Sequence, residues 1–227
     1  MTADHPILFS APMIRALLAG TKSQTRRIVR FPSECFAHGR QPCPDRSFVN
    51  RGLAGPDEYL SAAYGGGDYT DPAEVYARVY ARMQTGDRLW VRETWRTEER
   101  DSDAVDGIRF RADDAFVPIA NTKEAADAWV AARPRGAGPD SPQPDPWRPS
   151  IFMPRWASRL SLEVTRVRVE RVQSITEEDA RAEGVGPVTT RGSRAAYAKL
   201  WDSINGRKAA WSANPWCFVI DFRVVKP

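Results

Sequence analysis

The chain has 227 residues, 42% of them hydrophobic and eight of them tryptophan, which suits a packed core and argues against wholesale disorder. Its 33 lysines and arginines exceed its 29 acids by four, and residues 1–30 hold the whole surplus: Arg15, Lys22, Arg26, Arg27 and Arg30 against Asp4 alone. There is no apolar run of about 18 residues and no charged-then-apolar leader, so a cytoplasmic protein with no membrane partner is expected.

Three cysteines (Cys35, Cys43, Cys217) are too few and too scattered for a disulfide framework. Cys35, His38 and Cys43 lack the tight pair that zinc sites use, so neither a metal nor another cofactor is expected. With His5 and His38 the only histidines, proton transfer would fall to lysine, carboxylates or tyrosine.

Residues 6–9 read as a first strand entering a helix over 11–19, with Ser10 as N-cap, Pro12 in the first turn and Gly20 as the stop. The stretch Gly20-Thr21-Lys22-Ser23-Gln24-Thr25-Arg26-Arg27 then places an amine, hydroxyls and two guanidiniums where the helix gives way to a strand at about 25–30. Thr25, Arg27 and Val29 share one face of that strand, and Arg26, Ile28 and Arg30 the other. Neither face is apolar, which predicts a strand at an opening of the fold. Such a local positive surplus favours an anionic partner, or else it is a solvated helix end.

From about 31 to 85 proline and glycine punctuate the chain, predicting a long insertion with a helix at 72–82. Leu89 to Trp95 alternates as a strand, with Glu93 on the face of Leu89 and Val91, and Trp90 and Arg92 opposite. A carboxylate on an apolar face points to a polar pocket at the strand's end, although Arg92 beside a neighbouring acid would equally make an ordinary edge pair. A second insertion spans about 97–149, with a short strand at 108–111, a helix at 123–132 and a proline-rich run after it.

In the strand after Arg159, Leu160, Leu162 and Val164 are out of phase with Val167 and Val169, which predicts a bulge or bend near Thr165 and Arg166. Thr176 and Asp179 then open a short helix that Gly184 ends. Glu183 falls in its last turn, where the helix dipole disfavours an acid, a broken rule that marks Glu183 as functional. Tyr197, Leu200, Trp201 and Ile204 form the core stripe of a helix over about 193–205, and Trp216 to Val225 reads as a central strand.

Four stretches give the chain its resemblance to the ASCH family, in the form found in phage and prophage genomes. They are Gly20 to Arg27, Gly86 to Thr94, Ser150 to Glu183, and Leu200-Trp201-Asp202-Ser203-Ile204-Asn205 through Asn214-Pro215-Trp216. The resemblance implies an α+β, PUA-like fold: one domain over residues 1–227, a small, mostly antiparallel β-barrel with peripheral helices, interrupted by the two long loop insertions. It also implies either hydrolysis of N4-acetylcytidine to cytidine and acetate or non-catalytic binding of RNA or another nucleic acid. The family's lysine, threonine and glutamate fall on Lys22, Thr25 and Glu183. In the hydrolase reading Lys22 is the base, Thr25 the nucleophile and Glu183 the proton donor to the leaving amine. Arg26, Arg27, Trp90, Arg92, Glu93, Arg155 and Trp156 are the candidate substrate-binding residues, contacting a modified nucleoside or RNA. In the binding reading Lys22, Arg26, Arg27, Arg155 and Arg159 contact phosphates.

Overall fold

The computed structural model describes residues 2–29, 48–51, 59–63, 75–80, 83–100, 105–134, 145–186 and 192–225. In chain order its elements are β1 (Asp4–Leu8), α1 (Ala11–Leu18), β2 (Gln24–Ile28), β3 (Phe48–Arg51), β4 (Tyr59–Ala63), β5 (Val75–Tyr80), β6 (Arg88–Arg92), β7 (Trp95–Arg100), β8 (Val105–Phe110), β9 (Phe116–Pro118), α2 (Lys123–Ala132), β10 (Ser161–Arg171), α3 (Glu177–Ala182), α4 (Gly192–Asn205) and β11 (Trp216–Val225). The fold is α+β with mostly antiparallel pairing, and among the described residues no closed barrel is found. No helix among them is long and apolar enough to cross a membrane.

The chain divides into two compact units. The first is Met1–Thr2, Thr21–Asp87 and Glu163–Arg223; the second is Ala3–Gly20, Arg88–Leu162 and Val224–Pro227.

In the first unit β11 lies between β10 and β2, pairing antiparallel with β2 from Cys217↔Ile28 to Asp221↔Gln24. Cys217, Phe218, Val219 and Ile220 are all buried, as a strand covered on both faces requires. On β10 the buried Val164 and Val167 flank two exposed residues, Thr165 and Arg166, so the inward face changes phase where the sequence pattern slips. The core joins Val172, Ile175 and Ala180 to Tyr197, Trp201 and Val219. Ile204, expected in the core stripe of α4, is instead 57% exposed in the last turn of the helix, beyond the buried Tyr197 and Trp201.

The expected helix at 72–82 is a strand, β5, in an antiparallel sheet of order β3-β4-β5. Val75, Val79, Tyr76 and Tyr80 prefer a pleated backbone, and their alternation is that of a strand. Cys35, His38 and Cys43 lie outside the described residues.

The start of α3 follows its sequence signal: Thr176 accepts from the Asp179 amide at 3.0 Å while the Asp179 carboxylate accepts from the Thr176 amide. Gly184 follows at φ +83°, where a side chain would be strained. Thr176→Ala is expected to cost about 1 kcal/mol in urea unfolding. From the same helix Glu177 reaches the start of α4, accepting from the Ser193 amide at 2.7 Å and the Arg194 amide at 3.2 Å.

In the second unit β1 runs parallel to β6, from Asp4↔Arg88 to Leu8↔Arg92. Sheet β7-β8-β9 is antiparallel and packs with α2, its core built from Trp95, Ile108, Phe110, Trp129 and Met153. Gly107 on β8 has no room for a Cβ, which would fall 2.3 Å from the Phe116 ring on β9.

Candidate active site

The chain between Lys22 and Gln24 is held on both sides within the first unit. The Ser23 amide donates to the Ala182 carbonyl at 2.8 Å, the Phe222 amide donates to the Ser23 carbonyl at 2.9 Å, and Lys22 forms a β-bridge with Glu183. These backbone bonds carry Lys22 to the C-terminal end of α3. There its Nζ donates to the Glu183 Oε2 at 3.0 Å, the Glu183 carbonyl at 2.8 Å and the Gln24 carbonyl at 2.7 Å. Lys22 is 1% exposed and Glu183 2%. The acid that the helix dipole disfavours is thus offset by an ammonium that also meets a terminal carbonyl of the same helix.

Two further guanidiniums complete the cluster. Arg26, its side chain fully buried, donates to Glu183 Oε1 at 3.3 Å and, with its other nitrogen, to Glu170 and Asp179, both at 3.2 Å. It also donates to the side-chain oxygen of Gln24, whose amide nitrogen bridges Asp221 at 2.7 Å and Asp179 at 3.1 Å. Arg168 links Glu170, Asp179 and Asp221. Burial is the main cause that lowers the Lys22 amine from its usual 10.5; the Glu183 ion pair opposes it, while Arg27 and Arg26 push further down.

The structure therefore brings Lys22, Glu183 and Arg26 together. Thr25 is 3% exposed on β2, and strand alternation puts it on the face opposite Gln24 and Arg26. The bonds joining Lys22 to Glu183 do not pass through its hydroxyl. Arg27 is partly buried on the Thr25 side of the alternation, within electrostatic range of Glu183. The N-terminal charge surplus is in good part internal, because Lys22 and Arg26 face carboxylates.

The other candidate residues belong to the second unit. Trp90 is 8% exposed, with the Arg92 guanidinium 4.5 Å and the Arg155 guanidinium 6.0 Å from its ring centre. Arg155 also lies 3.6 Å from Asp4, and Trp156, 40% exposed, meets Trp95 edge-on at 6.3 Å. Glu93, 2% exposed, is gripped by Arg159 through Nε at 2.8 Å and a terminal nitrogen at 2.9 Å. Arg159 also donates to Asp113 at 2.8 and 2.9 Å. Burial raises the Glu93 carboxyl from its usual 4.5 and the bond to Arg159 works against the rise.

The sequence reading did not single out Gln24, Arg168, Glu170, Asp179 and Asp221 as a network around Arg26. Its signal is polar alternation: Gln24 and Arg26 on β2, like Arg168 and Glu170 on β10, are two apart on the strands that flank β11 in one sheet. Among the described residues no group of three or more His, Cys, Asp or Glu is arranged to hold a metal ion. Comparison with protein-family models, with curated proteins and with solved structures gives no match.

Proposed function

We propose that the protein is an amidohydrolase of ASCH type with a PUA-like fold, acting on a modified nucleobase or nucleoside of the N4-acetylcytidine kind. The observation that carries the reading is the buried Lys22 amine bonded at 3.0 Å to the buried Glu183 carboxylate. An amine whose pKa burial lowers, beside an acid, is equipped to exchange a proton.

In this reading Lys22 first passes a proton to Glu183 within the pair; the Thr25 hydroxyl oxygen then attacks the acetyl carbon and its proton passes to the neutral Lys22 amine. The carbonyl becomes an oxyanion, which Arg27 or a backbone amide stabilises. Collapse breaks the carbon–nitrogen bond, and the departing amine takes a proton from Glu183. Water then hydrolyses the acetyl ester of Thr25, releasing acetate. The test is incubation with N4-acetylcytidine and measurement of acetate. Lys22→Met and Glu183→Gln are each expected to slow release by about 10²–10⁴-fold, and Thr25→Val to abolish it; release unchanged in all three defeats the reading.

A second reading, non-catalytic RNA or other nucleic-acid binding, has its own support in the second unit. Arg92 lies over Trp90, Arg148 lies 5.3 Å from the Trp95 ring centre and Arg111 lies 5.9 Å from that of Trp147, and none of the three has an ion pair among the described residues. Guanidiniums stacked on indoles suit phosphates and unpaired bases. A single-stranded RNA titrated at several salt concentrations should bind at low salt, with a salt slope reduced by about one for Arg148→Gln. No binding at low salt counts against this reading.

A further inference from the structure

The second unit contains a cavity of about 490 Å³, a volume typical of small-molecule sites. One wall is Ile108 and Phe110 on β8, another is Val117 to Ala120 around β9, a third is the first half of α2, and the last is the turn from Trp156 to Arg159. The wall is mostly apolar, and Trp156, 40% exposed, is part of it.

The polar groups in this wall are already used, with one exception. Thr122 caps α2, accepting from the Ala125 amide at 3.2 Å, and the Ser158 hydroxyl donates to the Val91 carbonyl at 2.8 Å. Arg159 is shared by Glu93 and Asp113, and its guanidinium lies 4.1 Å from the Phe110 ring centre. Glu124 has no hydrogen bond or ion pair among the described residues, while its neighbour Lys123 is paired with Asp127. The charged side chains in the wall are Glu124 and Arg159, and the Arg159 guanidinium is held by Glu93 and Asp113, which leaves Glu124 as the charge in the wall without a partner among the described residues. An anion entering would meet Glu124 and a guanidinium already shared by two carboxylates. A flat apolar group bearing one positive charge would stack on Trp156 and set its charge against Glu124.

We infer that this cavity binds a small organic cation with a flat aromatic group, an arylalkylamine in its ammonium form, with Glu124 as the counter-charge and Trp156 as the stacking face. The inference concerns the second unit alone, and does not depend on the Lys22 and Glu183 chemistry of the first.

The experiment uses the full chain and three matched probes in isothermal titration: 1-naphthylmethylammonium, neutral 1-naphthalenemethanol and anionic 1-naphthylacetate. The ammonium is expected to bind about tenfold more tightly than the alcohol, as one partly desolvated charge contact implies, and the acetate most weakly. Glu124→Gln, a change on an exposed side chain, should remove the advantage of the ammonium while leaving the alcohol's affinity unchanged. Ala128→Phe, which fills the cavity from α2, should abolish binding of all three, with circular dichroism confirming that the variant is folded. Equal affinity for the ammonium and the acetate, ammonium binding that survives Ala128→Phe, or no binding of any probe overturns the inference. If Ala128→Phe does not fold, the Glu124→Gln comparison decides alone.

Discussion

Replacing Glu183 by alanine is expected to destabilise the first unit by about 3–5 kcal/mol, because removing one partner of a buried ion pair leaves the other charge uncompensated. Two cations lose a carboxylate at once: Lys22 keeps the carbonyls of residues 24 and 183, and Arg26 keeps Glu170 and Asp179. Lys22→Met combined with Glu183→Gln should recover most of the loss, since the ammonium that needed the acid has gone. Urea unfolding, followed by circular dichroism, measures both.

The loss should also depend on pH with a defined sign. Lys22 titrates below its usual 10.5 in the folded chain, so between its folded value and 10.5 the unfolded chain binds more protons, and stability contributed there rises with pH. Without Glu183 the strongest influence holding the amine up is absent and the window widens. The deficit of the variant relative to the parent should therefore shrink as pH rises from the variant's lower folded value to the parent's, and stay level from there to 10.5. A deficit that is already level below the parent's folded value would mean that the pair is not what Glu183 contributes.

Arg159→Ala is expected to cost a similar 3–5 kcal/mol in the second unit, by stranding Glu93. Arg159→Lys should recover only part of this, because one ammonium cannot fork across Glu93 and Asp113 as a guanidinium does. Here the pH dependence has the opposite sense. A carboxyl whose folded pKa is raised above 4.5 contributes stability present at low pH and lost as pH climbs through the folded value. Removing Arg159 deletes the bond that held Glu93 down, so the variant should suffer least near and below 4.5, where Glu93 is protonated, and most at neutral pH. Asp113, which the Arg159 bond holds below its usual 3.8, works the other way, but its greater exposure makes its share small.

Much of this was legible from the sequence where local rules act. The cap at Thr176, the stop at Gly184, the helix at 123–132 and the phase slip at Thr165 and Arg166 all depend on residues a few positions apart. Glu183 stood out because it breaks a helix rule, and the structure supplies the compensating ammonium of Lys22. The three strands within 31–85 were hidden by the prolines and glycines around them, which signal turns without saying what they connect. Arg26 was read as a substrate contact because its charge was visible and its acids were not: Glu170, Asp179 and Glu183 lie more than 140 positions away and reach it only through strand pairing. Glu93 was expected at a polar pocket, and the polar neighbour proves to be Arg159.

The bridge between Lys22 and Glu183 joins residues 161 positions apart, which has a consequence for how the chain is made. During synthesis Lys22 and Arg26 leave the ribosome long before their acids do, so the growing chain carries an early cationic segment with no internal counterpart. A contact of such long range also forms late in folding. Until the segment around Glu183 has emerged, the first unit cannot close over these charges, and nascent chains should stay sensitive to polyanions that the finished protein no longer meets at these positions.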